Sequence, residues 1–258
     1  MKIFFGLPYA RPDVRAFTNS LSNFSATTTC EFIYKHNLPG EAIDVARNLI
    51  VKQFLKGVTD ERIKCDYLMF IDNDASWSPG SIDRLISHDK DIICGGMYTR
   101  EIPPRPTIGK YMGRTPKGKD RYDYTIYADK VLTYLHDELG LKELEINENL
   151  FKEPKLERYD ACGMHFTLIK RRVLEELKYP WFMKSEKTGA GEDFYFCKKA
   201  VDAGFELWTD YSVQTAHYAG ESNSFGAREL LKLVLMVKSG VMSDIGGAWE
   251  VEGDLKAK

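Results

Sequence analysis

No pair of cysteines in this chain has C-x-x-C spacing, and the cysteines number five, an odd count. Cys65, Cys94, Cys162 and Cys197 lie in or beside apolar runs, where buried free thiols are common. That usage fits a reducing, cytoplasmic setting. No apolar run is long enough to cross a bilayer, so no membrane span is expected. The opening residues, Met1 to Pro8, are too short and too soon broken for a signal peptide. Charge of one sign is scarce as well. A formal net charge of -2 supplies no general basic field, so non-specific nucleic-acid binding is not indicated. There is no internal repeat and no low-complexity tract.

What is present is the composition of an ordinary soluble protein. With 43% hydrophobic and 29% charged residues over 258 positions, the chain can bury a sizeable core in one large α/β domain or two small ones. Its organising stretch is Asp66-Tyr67-Leu68-Met69-Phe70-Ile71-Asp72-Asn73-Asp74. Five consecutive apolar or aromatic residues read as a strand buried on both faces, delivering Asp72 and Asp74 to its C-terminal end. Ala75 to Gly80 breaks the strand, and Ser78-Pro79 leads into a helix carrying Ile82, Leu85 and Ile86. Ligands of open α/β sheets sit outside the carboxyl ends of strands. Two acids at i and i+2 on a turn there can converge on one cation, and oxygen ligands suit Mg²⁺ or Mn²⁺. The plainer alternative is that an Asp-x-Asp after a strand only satisfies backbone amides.

Other elements follow from periodicity. Ile3–Leu7 reads as the first strand, ended by Pro8, with Tyr9 to Asp13 a loop at the same sheet edge as Asp72. Phe17, Leu21 and Phe24 indicate a helix, and Glu31–Lys35 a second strand. Ala42, Val45, Ala46, Leu49, Ile50 and Phe54 form one face of a helix at a 3.6-residue period. Arg47 beside that stripe is either solvated or reaches the sheet edge. Asp91 to Gly96 is a strand ending in two glycines, giving a strand–helix–strand unit of a parallel sheet. From Met97 to about residue 128 basic residues and tyrosines interleave with little helical period; a binding flap or hairpin insertion and a solvated excursion both fit. Further on come a helix over Val131–Leu139, a strand over Tyr159–Ile169, and a short helix over 170–177 ended by an exposed aromatic pair, Trp181-Phe182. Gly191-Glu192-Asp193 then enters a helix that stops at Gly204. Phe205–Trp208 is the last strand, and a terminal helix spans about Ala227 to Lys238.

Four segments in this order resemble a known family: Ala46-Arg47-Asn48, Phe70-Ile71-Asp72-Asn73-Asp74, Gly191-Glu192-Asp193-Phe194 and Ala216-His217-Tyr218-Ala219-Gly220. The set resembles nucleotide-diphospho-sugar glycosyltransferases of the A-type (GT-A) fold, particularly compact family-2-like members of phages, large viruses and bacteria. It covers about residues 1–225. The implied fold is a single Rossmann-like α/β domain with a mostly parallel central sheet flanked by helices and a basic-aromatic insertion. A nucleotide-binding half spans about 1–96, an acceptor half about 97–225, and 226–258 is a helix and tail. A phage or viral source would make the setting host cytoplasm. Asn73 fills the variable middle position of the acidic motif, and the 97–128 stretch matches no acceptor pattern.

The resemblance implies metal-dependent transfer of a sugar from a UDP- or GDP-sugar to a hydroxyl acceptor. Asp74 is the direct ligand expected, with Asp72 on the metal or the ribose and His217 closing the shell. An imidazole tilts the ion towards Mn²⁺, with Mg²⁺ the alternative. A buried, hydrogen-bonded histidine is the competing reading of His217. Asp193 is the candidate general base and Glu192 an orienting acid, although acids in a first helical turn also occur for the dipole alone. That dipole would lower the pKa of Asp193 unless burial compensates. A base at the reacting hydroxyl suits inversion; in a retaining enzyme the carboxylate would only position. Pro8 and Tyr9 fit a nucleobase site, with Arg11 and Arg47 on its edge or on the diphosphate. Gly95 and Gly96 would let donor or acceptor approach the backbone. Trp181 offers a face for an acceptor sugar, or packs under a loop. The acceptor could be a glycan, a protein or modified DNA. The competing functions are a nucleotidyltransferase, disfavoured because no glycine-rich basic signature follows the first strand, and a non-catalytic nucleotide-sugar-binding module.

Overall fold

The computed structural model describes residues 1–8, 13–36, 41–57, 64–101, 104–124, 127, 131, 155–184, 191–221, 223–227 and 229–231. The N-terminal part alternates strand and helix, as its periodicity requires. In order come β1 (Lys2–Leu7), α1 (Arg15–Thr27), β2 (Glu31–His36), α2 (Ile43–Lys56), β3 (Tyr67–Ile71), a short β4 (Ala75–Trp77), α3 (Ser81–Ser87) and β5 (Ile92–Gly96). A hairpin of β6 (Lys110–Arg114) and β7 (Asp120–Asp123) follows, then β8 (Leu156–Tyr159), β9 (Phe166–Lys170), α4 (Arg171–Glu176), α5 (Glu192–Asp202), β10 (Leu207–Ala219) and β11 (Asn223–Phe225).

The main sheet runs β11-β10-β5-β9-β3-β1-β2, with β4 and β8 also paired to β10. β1 lies parallel to β2 and β3, and β10 parallel to β5. β9 is antiparallel to both β3 and β5, so five of the six central strands point one way. The expected α/β class, a mixed and largely parallel sheet flanked by helices, is what forms. β3 and β5 are the strands of the expected strand–helix–strand unit, but β9 is inserted between them.

Apolar composition dictates where the core sits. All of β3 is buried, as are Phe4, Phe5, Phe24 and Phe54, which meet edge to face across the sheet. Gly6 of β1 permits the close helix–strand approach, because a Cβ there would stand 2.5 Å from Ile50 of α2. The C-terminus of α5 closes as expected. Gly204 takes φ +91°, and Phe205 N–H donates back to Ala200 O at 3.0 Å, satisfying a carbonyl the helix leaves open.

Several boundaries differ from expectation. Tyr159–Ile169 is not one strand, since β8 ends at Tyr159 and β9 begins at Phe166. The strand expected over Phe205–Trp208 is neither so short nor the last: β10 runs from Leu207 to Ala219, passing an irregularity between Thr209 and Gln214, and β11 follows it. Ala75–Trp77 is no mere break but pairs with β10. For the 97–128 stretch the hairpin alternative is the one observed. Trp181 and Phe182 are not exposed, at 7% and 1%. Of the Val131–Leu139 helix only Val131, itself helical, is among the described residues, and most of the terminal helix and tail lie outside them; Ala227 and Glu229–Leu231 are helical. No helix among the described residues is long and apolar enough to cross a membrane.

Candidate functional site

The buried strand β3 carries Asp72, Asn73 and Asp74 out at the carboxyl edge of the sheet, and the neighbouring backbone fixes their turn. Asp72 N–H donates to His165 O at 3.1 Å, Ala75 N–H to Asp72 O at 3.1 Å and Tyr218 N–H to Asp74 O at 2.8 Å. Asn73 is 2% exposed; its amide donates to Asp13 Oδ1 at 2.9 Å and its carbonyl accepts from Val14 N–H at 3.1 Å. It anchors the turn to the start of α1, which accounts for an amide between the two acids.

His217 reaches these acids through the β4–β10 ladder, in which His217 is paired with Ala75. Donor atoms of Asp72, Asp74 and His217 lie within 4.8 Å of one another. His217 Nε2 is 3.2 Å from Asp74 Oδ1, and its Nδ1 is 3.0 Å from Tyr98 O. A carbonyl can only accept, so Nδ1 carries a proton and donates it to Tyr98 O, which turns Nε2 towards the two acids. Asp72 Oδ1 is buried without a hydrogen-bond partner. Burial raises the Asp72 carboxyl pKa, against the lowering effect of Arg47. Two carboxylates, one with an unsatisfied buried oxygen, and an imidazole oriented by its Nδ1–H bond fit a small divalent cation.

Arg47 is not solvated; of the two expected placements it takes the one that reaches the sheet edge, and it is buried there. It is 4% exposed, ion-paired to Glu192, and 3.8 Å from Asp72 Oδ1 through its second terminal nitrogen. The guanidinium packs beside the rings of Phe70 and Phe182, 6.0 and 5.9 Å from their centroids. One buried cation therefore ties the acid after β3 to the acid opening α5. Asn48 next to it is a scaffold residue, its side-chain oxygen accepting from Trp181 and Phe182 N–H at 3.0 and 3.2 Å.

Asp193, beside Glu192 in the first turn of α5, opens on a cavity of about 370 Å³. Tyr122, Tyr124, Phe194, Thr99 and Arg105 also line it. The Tyr122 and Phe194 rings meet at 4.9 Å and those of Tyr124 and Phe194 stack at 6.0 Å, so the hairpin supplies an aromatic wall facing the acid. Burial raises the Asp193 carboxyl to about 6, outweighing the Arg47 charge and a 2.8 Å hydrogen bond from Phe194 N–H. Burial thus wins over the helix terminus.

Other expected site residues are placed differently. A Cβ on Gly96 would collide with Gln214 and the Tyr127 hydroxyl, and one on Gly95 with Val213 at 2.9 Å. The space a side chain would take at these glycines is filled by Val213 and Gln214 of β10 and by Tyr127. The Trp181 indole N–H donates to Leu174 O and Leu177 O at 3.0 and 2.7 Å, so the packed alternative holds and no face is open to a sugar. Pro8 is buried at the end of β1, while Tyr9 and Arg11 lie outside the described residues.

Two residues escaped the sequence reading. His165, 5% exposed, stacks on His217 with centroids 4.7 Å apart, its Nε2 buried without a partner. Burial, reinforced by His217, holds its pKa well below the usual histidine range. Arg100 pairs with Asp74 Oδ2 at 2.7 Å. A lone histidine in an apolar strand and one arginine among many basic residues carry no distinguishing local signal.

Strand order, the acids at the carboxyl edge and the helices on the sheet define an α/β protein of the GT-A-like class. Solved structures share this fold. The chain matches the crystal structure of A197 from STIV at a TM-score of 0.54 and 20% identity, covering 88% of this chain and 91% of that one. It matches GalNAc-T7, solved with UDP, GalNAc and Mn²⁺, at a TM-score of 0.51 and 11% identity over 86% of this chain. The match spans 44% of the GalNAc-T7 chain. No family model and no curated protein sequence matches the chain.

Proposed function

We propose that the protein is a metal-dependent glycosyltransferase of the compact family-2-like kind, moving a sugar from a UDP- or GDP-sugar to a hydroxyl acceptor with inversion. The carrying observation is the convergence of Asp72, Asp74 and His217, residues far apart in sequence, at the carboxyl edge of the sheet. Asp72, Asp74 and His217 would hold Mn²⁺ or Mg²⁺, which when bound supplies positive charge to a departing nucleoside diphosphate.

The chain's own residues divide the remaining work. Residues of about 1–96 would hold the nucleotide and those of about 97–225 the acceptor. An acceptor hydroxyl in the cavity beside Asp193 would give its proton to that carboxylate as its oxygen attacks the anomeric carbon. A carboxyl near 6 is a better base than an ordinary aspartate and is still largely ionised at neutral pH. Glu192 would act as the orienting acid through Arg47, which it pairs with and which also reaches Asp72, setting the distance between the two acid sites. The walls of Tyr122, Tyr124 and Phe194 would exclude water from the attacking hydroxyl.

The test is incubation of the whole chain with UDP- and GDP-sugars and Mn²⁺, scoring release of free sugar and nucleoside diphosphate. Slow Mn²⁺-dependent hydrolysis by the wild type, lost in Asp74→Ala, is the expected result. Pyrophosphate exchange without sugar release would instead assign a nucleotidyltransferase, and binding without turnover a nucleotide-sugar-binding module.

A further inference from the structure

We infer that Arg100 is a phosphate-binding residue that, before substrate arrives, occupies the cation's place on Asp74; this rests on the proposed function above. Both oxygens of Asp74 are engaged. Oδ1 lies 3.2 Å from His217 Nε2, and Oδ2 accepts a charge-assisted bond from Arg100 at 2.7 Å. A cation coordinated by Asp74 must displace one of them. The His217 ring is held by β10 and by Tyr98 O, whereas the Arg100 side chain is one-third exposed and Asp74 is 6% exposed. Arg100 is therefore the partner with somewhere to go.

Its backbone stays put while its head moves. Thr99 N–H donates to Arg105 O at 2.8 Å and Arg105 N–H donates to Thr99 Oγ1 at 3.0 Å, closing the chain on both sides of Arg100. Glu101 is occupied by Arg105, which removes the nearest competing carboxylate in sequence. Thr99 and Arg105 also line the cavity of Asp193, so the segment that carries Arg100 to the acid cluster borders that cavity as well. A donor's diphosphate reaching the cation would come up against the Arg100 head at Asp74. A guanidinium released from Asp74 would meet phosphate oxygens there, and its planar fork suits them. Arginine and cation thus compete for Asp74 alone but cooperate once a diphosphate is present.

Competition followed by cooperation predicts effects of opposite sign. In the whole chain, Arg100→Ala should bind Mn²⁺ alone about threefold or more tighter than wild type, the scale of removing one partly exposed ion pair. The same variant should bind UDP or GDP in saturating Mn²⁺ about tenfold or more weaker, the scale of one charge-assisted contact. Mn²⁺ is read by electron paramagnetic resonance of the free ion, the nucleotides by calorimetry. Arg100→Lys should restore part of both effects, and Arg114→Ala, an exposed hairpin arginine, should show neither. A wild type that binds Mn²⁺ and a nucleotide, with Arg100→Ala binding Mn²⁺ no tighter or the nucleotide no weaker, overturns the role of Arg100 and leaves the proposed function standing. A wild type that binds neither Mn²⁺ nor UDP and GDP overturns both.

Discussion

A guanidinium packed beside two phenyl rings and paired with two carboxylates, 4% exposed, has almost no water to fall back on. Removing Arg47 therefore strands Glu192, whose side chain is 11% exposed, as an uncompensated buried charge. Arg47→Met should lower unfolding free energy by about 3–5 kcal/mol in urea titrations, and adding Glu192→Gln should recover much of it. If the single change is nearly neutral, the pair is not the strut described. At Asp193 the expectation concerns protons. Its folded pKa, near 6, is raised above the unfolded value, so its contribution favours the fold fully below about pH 4 and is lost as pH rises through about 6. Melting temperatures of wild type and Asp193→Asn, followed across that range, should diverge in that sense. A base must be ionised, so kcat/KM should rise with pH through about 6, and Asp193→Asn should cost about 10²–10⁴ in turnover while sparing nucleotide affinity. Activity that survives the asparagine would remove Asp193 from the role of base.

At the scale of elements, β10 does what no local segment could. Its first half continues the sheet beside β5, and its second half carries His217 to the turn of β3 by pairing with β4. The irregularity between Thr209 and Gln214 is filled by Gln214, whose side chain accepts from the Tyr98 hydroxyl at 2.8 Å and donates to Tyr127 Oη at 3.1 Å and Tyr211 O at 2.6 Å. Gly96 leaves the room that this cluster needs. Gly96→Ala should force the amide and both tyrosines apart at a cost of about 1–3 kcal/mol, seen as a lower urea midpoint, and should weaken Mn²⁺ binding because the displaced strand carries His217. An unchanged midpoint would show that the cluster is soft.

For the molecule as a whole, two acid-bearing halves are joined by one sheet, so a ligand that bridges them should stabilise everything at once. Mn²⁺ with UDP or GDP at about one hundred times its dissociation constant should raise the melting temperature by about 5–10 °C. Asp74→Ala should abolish the metal-dependent part. A rise that is the same with and without Mn²⁺ would separate nucleotide binding from the acid cluster. Much of this organisation was legible from local pattern: the buried β3 and its acids, the 3.6-residue stripe of α2, the glycine closing α5. Apolar period and helix-stop chemistry act within a few residues, so a sequence displays them directly. Strand order does not. The insertion of β9 between β3 and β5 and the Ala75–His217 pairing are contacts between residues far apart in sequence, and so are the Arg47–Glu192 strut and the aromatic wall facing Asp193. They were decided by how preformed strands and helices could bury their apolar faces together. The sequence by itself determined which chemical groups were available and which element each rides on. Only tertiary packing decided which of them meet, and whether burial or the helix dipole sets the acidity of Asp193.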